Sequence, residues 1–432
     1  MGKPYKPYEP EQSLLFPPNL KDWLPEDHLA YFVSDVVDQL DLSAIEREYE
    51  KETRGQPPYN PRMMTKLLLY GYCVGVFSSR QIQRGLVEDV AFRVLAAGNQ
   101  PDFRTISDFR KIHRQALQNL FEQVLMMALN AGAIKIGRVA LDGTKIKANA
   151  SKHKAMSYDR MKEREEQLRK EVRHLLNQAD RVDTQEDKLY GRGLHGDELP
   201  DELRRRETRI ARIREAKRAL EEKAQTAAKA AGKDQEKSRP RDKDQYNFTD
   251  SESRIMKGSD GFVQGYNAQA AVEQTFQLIV GQAVTQQAND KQQIEPMVEI
   301  IEAQSGQKPE QLLADSGYCS EENLEYLASE EEIDVYIATG RQKHGEKFQT
   351  CKRGPLPKNA TLVDRMRRKL QTKAGAAVYA ARKSIVEPVF GQIKHVRGFR
   401  QFFVRGLQKV KMEWALVCLT HNILKMYRIC YG

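Results

Sequence analysis

The segment VALDGTKIKANAS, residues 139–151, places a carboxylate where an apolar strand ordinarily carries none. Val139, Ala140 and Leu141 lead into Asp142, and the run 134–149 is rich in β-branched residues, the composition of a strand. A lone carboxylate in such a strand is costly unless it is paired or put to use. Arg138 or Lys145 could pair with it at a sheet edge; the alternative is a working acid. Lys145 and Lys147, two residues apart, fall on one face of the strand.

Upstream, residues 1–132 read as an all-α region. Leu29, Phe32, Val36 and Leu40 form one apolar stripe. Met63, Leu67, Tyr70 and Val74 form another behind Pro61, which suits a first helical turn. Thr105 is expected to cap a long helix that runs to Gly132. Arg80, Arg84, Arg104, Arg110, Lys111 and Arg114 cluster at short helices and turns. That arrangement suits either a helix-turn-helix contact with DNA or a solvated basic face.

Downstream the order of elements sets the architecture. Residues 133–150 hold the first strand. Residues 151–250 are highly charged, with stripes at Leu168, Val172 and Leu175 and at Ile210, Ile213, Leu220 and Ala224, which predict a helical hairpin inserted between strands. Residues 227–244 read as flexible. Within 251–340 strands are expected at 262–273, 278–285, 311–314 and 333–339, with helices after Asp290 and Ser320. Residues 341–375 read as a basic flexible loop, and two helices in 376–432 complete the core. Without the hairpin the order is three strands and then alternating helices and strands. This is an α/β fold with a mixed sheet, in the element order of the RNase H-like fold.

Charge distribution narrows the function. The 432 residues carry a formal net charge of +10, yet the last 93 carry +17 and the rest sum to −7. A near-neutral body with a basic C-terminal quarter fits a polyanion docked at one place. The first nine residues lack the apolar stretch of a secretory signal. The most apolar segment, 414–424, is too short to span a membrane and is flanked by Lys411, Glu413 and Lys425. Five cysteines without a CxxC pair argue against a disulfide framework or structural zinc, and a reducing cytoplasm is the expected compartment.

Two further acids share the character of Asp142. Asp315 follows the short apolar stretch QLLA and precedes Ser316 and Gly317, at the carboxyl end of a strand; it could also simply cap a turn. Glu387 is the only acid between Asp364 and Glu413, among Arg382, Lys383 and Lys394, with which it could merely pair along a helix. Asp290 reads as a helix cap. Pro388, next to Glu387, implies either a kink or a helix start there, and the kink is expected.

The segments VALDGTKIKANAS (139–151), LLADSGY (312–318) and YAARKSIVEPVFGQIKHVRGFRQF (379–402) resemble the three catalytic blocks of DDE transposases of bacterial insertion sequences. FPPNLKDWLPEDHLAYFV (16–33) resembles their amino-terminal domain. The last block is similar to the Tyr-Arg-Glu-Lys signature of one branch, here Tyr379, Arg382, Glu387 and Lys394. Four residues rather than the usual three separate Arg382 from Glu387, and Lys383 in the Arg role would restore the spacing.

The resemblance implies an RNase H-like core in which Asp142, Asp315 and Glu387 hold two Mg²⁺ ions, with Mn²⁺ as a possible substitute. It implies cleavage and strand transfer at element ends, first by water and then by a freed 3′-hydroxyl. Lys394, Arg382 or Lys383, Lys145 and Lys147 would contact the DNA. Tyr379 would position a nucleotide, unless it packs in the core. Double-stranded DNA is the implied partner, with a homodimer on paired ends and no membrane. A stand-alone two-metal nuclease and a catalytically silent DNA-binding regulator are the alternatives.

Overall fold

A computed structural model describes residues 19–50, 57–132, 134–190, 201–230, 238–258, 261–330, 332–340, 356–357 and 359–432. The chain opens with helices α1 (Leu29–Gln39), α2 (Ser43–Glu50), α3 (Pro61–Cys73), α4 (Ser79–Glu88), α5 (Val90–Leu95), α6 (Phe103–Ile112) and α7 (Arg114–Asn130). Pro61 does occupy the first turn of α3, behind an Asn60 cap. The long helix expected from Thr105 to Gly132 is instead two. Asp102, not Thr105, caps α6, and the break falls at His113, whose ring is drawn inward to Phe109 and to the Tyr49 hydroxyl, 2.9 Å away.

Strand β1 (Arg138–Lys147) follows, then β2 (Ala155–Ser157), the long helices α8 (Tyr158–Tyr190) and α9 (Asp201–Ala230), and β3 (Gln245–Asn247). Strands β2 and β3 pair at the base of the two helices, which share a small apolar cluster of Met161, Leu168, Ile210, Ile213 and Leu220. Much of the expected flexible stretch 227–244 belongs to α9 or lies outside the described residues. Next come β4 (Arg254–Gly258), β5 (Gly261–Glu273), β6 (Ile279–Thr285), α10 (Ile294–Ser305), β7 (Gln311–Ala314), α11 (Glu321–Ser329) and β8 (Asp334–Ile337).

The main sheet is mixed, in the order β4-β5-β1-β7-β8, with β6 also paired to β5. Strand β1 runs antiparallel to β5 and parallel to β7, and β7 parallel to β8. Asp142 therefore lies on a central strand, which removes the edge location that pairing with Arg138 or Lys145 would have used.

Part of the predicted basic loop is helical. Residues 341–355 lie outside the described residues, but α12 (Leu362–Gln371) is fixed by a Thr361/Asp364 capping box and buries Met366 and Leu370. Its arginines hide that two-residue apolar pattern in the sequence. Helix α13 (Lys373–Gly391) continues through Pro388 into a wider turn at Gln392–Val396, so no helix starts at the proline. Proline has no N–H for the Ser384 carbonyl four residues back. That carbonyl accepts from Gln277 Nε2 instead, at 2.9 Å.

Helix α14 (Leu407–Tyr431) packs on α3, α7 and β6 and joins the N-terminal helices to the sheet in one apolar core. Its Asn422 covers the outer side of β6, accepting from the Ile279 N–H and donating to the Ile279 carbonyl, both at 2.8 Å. Glu413 is fully buried on α14. It accepts from the Tyr72 hydroxyl at 3.0 Å and from the Phe403 N–H at 2.8 Å, while Arg110 donates to the Tyr72 oxygen at 3.2 Å. Arg110 is thus an interior residue rather than a DNA-facing one.

Two measurements probe this packing. Glu413→Ala leaves the Tyr72 hydroxyl of α3 and the N–H groups of the segment before α14 without their acceptor and should cost about 3–5 kcal/mol of unfolding free energy, read by thermal or denaturant melting. His421, fully buried on α14, donates from Nε2 to the Gln277 carbonyl, and burial, aided by Arg397, lowers its pKa from 6.5 to about 3. The unfolded chain takes up a proton between those values that the folded chain refuses, so this histidine costs stability as pH falls through that window. His421→Gln should flatten the pH dependence of stability between pH 6.5 and 4 by up to about 1.4 kcal/mol per pH unit.

Candidate active site

The register of two parallel strands brings the first two acids together. Ala314, the last residue of β7, pairs with Leu141 of β1, so the residues that follow, Asp315 and Asp142, stand side by side where β7 ends. Asp142 accepts from its own neighbour's N–H, that of Gly143, at 2.8 Å and from Arg382 Nη1 at 3.2 Å. Burial pushes its carboxyl up to about 6; Arg382 opposes that rise and the neighbouring Asp315 adds to it. Asp315 accepts from the Gly317 N–H at 2.8 Å and so does cap the short turn Ser316–Tyr318 while its carboxylate stays beside Asp142.

Helix α13 packs across β1, β7 and β8 and carries Tyr379, Arg382, Lys383 and Glu387. Arg382, with only 10% of its side chain exposed, reaches Asp142, whereas Lys383 faces solvent. Tyr379 is partly buried beside Arg382, and burial raises its hydroxyl pKa. Glu387 is exposed five residues beyond Arg382, which on a helix is a different face. Among the described residues no group of three or more acidic, histidine or cysteine side chains closes on a metal-sized space.

A third acid beside the pair is one whose place in the sequence suggested a helix cap. The cap of α10 is Gln293, and Asp290 turns towards the sheet instead. Its Oδ1 accepts from Asn267 Nδ2 at 2.6 Å and Gln269 Nε2 at 2.7 Å, and faces Lys145 Nζ at 3.4 Å. A methyl group on Gly317 would meet Asp315 Oδ1 at 2.9 Å and Asp290 Oδ2 at 3.5 Å, so both carboxylates flank that glycine. A methyl on Gly143 would sit 2.7 Å from Asp290 Oδ1 and collide with Gln269. The fully buried Tyr318 donates its hydroxyl to Gln269 Oε1 and closes the network. The signal in the sequence was Asn267 and Gln269, two amides two apart on one face of the largely buried β5, both fully buried.

A groove of about 970 Å³ opens beside this cluster. Lys145 and Lys147 line it together, as their two-residue spacing requires, with Lys152, Lys257, Lys394 and Arg400. Lys394 donates to the Thr144 hydroxyl and, at 3.3 Å, to the Lys145 carbonyl, which ties the end of α13 to β1. Basic side chains around Asp290 in this groove, next to the Asp142–Asp315 pair, suit a polyanion held beside hard oxygen donors. No helix of the described chain is long and apolar enough to cross a membrane.

Two family models match the chain. Residues 18–112 match the model described as a transposase domain (DUF772), and residues 235–423 match the transposase DDE domain. No curated protein and no solved structure matches it. The second model spans both Asp315 and Glu387 and implies an RNase H-like core, in keeping with the mixed sheet and its flanking helices. With about two thirds of its length matched to transposase models, a mixed sheet and paired acids beside a basic groove, the chain belongs to the DDE transposases.

Proposed function

We propose that the chain cleaves and joins DNA at insertion-sequence ends in a divalent-metal-dependent reaction, with water and then a freed 3′-hydroxyl attacking phosphodiesters. The observation that carries this reading is the pairing of Asp142 with Asp315, next to Gly143 and Asp290, which line a lysine-rich groove.

The donor set fits a divalent cation. Both acids are hard oxygen ligands held side by side by the β1–β7 register, an arrangement in which a bound cation would offset their mutual repulsion. Asp142 and Asp315 would hold the metal, with Glu387 as the third ligand carried over from the transposase signature. Mg²⁺ is the ion favoured, with Mn²⁺ as a substitute. A metal held there would supply activation of an attacking oxygen and charge neutralisation at the leaving one.

The chain's own residues do the rest. Arg382 holds Asp142 in place and supplies a cation in direct contact with it. Lys145, Lys147 and Lys394 line the groove and grip phosphates, orienting the scissile bond along it. Tyr379, next to Arg382, positions a nucleotide. Asp290 with Asn267 and Gln269 fixes the floor that Gly143 and Gly317 pass over. Two ends must be brought together, so the working form is a homodimer on DNA. Family membership favours this over a stand-alone nuclease, and the paired acids favour it over a silent regulator.

The test is cleavage of a duplex carrying an element end, in Mg²⁺. Asp315→Asn and Glu387→Gln should each lower the rate by about 10³-fold or more while duplex binding persists. Asp290→Asn, which removes a supporting charge, should cost about 10–100-fold. Undiminished cleavage by Asp315→Asn overturns the site. A larger loss at Asp290 than at Glu387 would transfer the third ligand to Asp290.

A further inference from the structure

The two family models leave residues 113–234 unmatched, and α8 and α9 lie in that gap. What these helices do is therefore a question for this chain's own residues.

Elsewhere along the pair, charges are matched with care. Glu165, nearly buried, receives Arg169, Arg214 and Lys217. Glu166 takes Lys170, and Glu171 takes Arg164 and Arg206. One surface breaks that rule. A groove of about 650 Å³ between the two helices is lined by Arg164 and by five arginines of α9, namely Arg204, Arg205, Arg206, Arg209 and Arg212. Among the described residues Glu171 is the one acid lining it. Arg204, Arg205, Arg209 and Arg212 are exposed and meet no carboxylate among the described residues. Glu207, two residues from Arg205, falls on the opposite side of the helix.

Spacing gives the cluster a direction. Arg205, Arg209 and Arg212 stand at i, i+4 and i+7, so they form one row about 10 Å long. Like charges so placed repel one another and weaken the helix in isolation. A row of guanidinium forks of that length covers about three phosphate steps of one DNA strand, each about 3.4 Å along the duplex axis, and offers three forks to them.

We propose that this arginine row is a second DNA-binding surface, which grips the phosphate backbone of duplex DNA away from the catalytic groove. The inference rests on the reading of the chain as a DNA-processing enzyme and adds a contact site to it. Because the row meets phosphates and no base edges, its contribution is independent of sequence.

The full-length chain, titrated with a fluorescent duplex of arbitrary sequence and about 40 base pairs across a salt series, tests it. The triple variant Arg205→Gln, Arg209→Gln, Arg212→Gln should bind about tenfold or more weakly at about 100 mM salt. Its plot of log affinity against log salt should be shallower by about 2.7, because each of three phosphates no longer neutralised removes about 0.9 from the slope. The matching triple lysine variant keeps the charge and should keep most of the slope. Wild-type affinity and slope in the glutamine variant overturn the surface. So does an unchanged DNA affinity joined to altered sedimentation, which would assign the row to a second copy of the chain. Equal weakening in the lysine and glutamine variants would overturn it by tracing the effect to hairpin packing. A wild-type chain that binds no duplex at all would overturn the proposed function as well, which separates the two failures.

Discussion

Everything at the candidate site depends on one register, the parallel pairing of Leu141 with Ala314. A parallel pair carries two strand ends in the same direction, so residues that follow paired positions stay neighbours. A slip of one residue would put Asp315 on the other face of the sheet from Asp142. The apolar residues that fix the register, Val139, Ala140, Leu141, Leu312, Leu313 and Ala314, are all completely buried. The core thus holds two like charges together, and Arg382 and the Gly143 and Gly317 N–H groups make that proximity tolerable.

The second dependence is on α14. It is buried along most of its first two thirds and touches both the N-terminal helices and the sheet. Its polar residues are structural fasteners: Glu413 gathers donors from α3 and from the segment before α14, and Asn422 caps both backbone groups of Ile279. The helices of residues 18–112 and the sheet of the DDE region are consequently one packed body, although separate family models describe them. Positioning of the basic groove relative to the N-terminal helices follows from that shared interior.

The longer strands of the main sheet and most helices were legible because each rests on a local signal, whereas the short β2, β3 and β4 carry none. Residues 312–314 are apolar and end at an acid; residues 262–273 alternate with a turn behind them; residue 61 is a proline after Asn60. The misreadings share a cause too. Asp290 looked like a cap because Asp commonly caps helices, yet its partners, Asn267 and Gln269, are more than twenty residues away in sequence. His113 looked like mid-helix, and only the Tyr49 hydroxyl and Phe109 ring explain the break there. Arg110 looked like a surface cation, and its partners Tyr72 and Phe77 come from another helix and its following loop. Helix α12 was hidden because Arg365, Arg367, Arg368 and Lys369 mask an apolar face of two buried residues.

By itself the sequence carried the alternation of the main strands and helices, the isolated acids Asp142, Asp315 and Glu387 and the basic bias of the last quarter, since each is a local feature of composition or periodicity. Tertiary structure alone decided which charges meet. It chose Arg382 over Lys383 for Asp142, set Asp290 beside Lys145, and left Glu387 exposed on the same helix as Arg382. Those choices depend on strand register, helix rotation and burial, which no window of sequence contains. The physical reason is that a side chain's electrostatic partner is fixed by where the packed core turns its backbone.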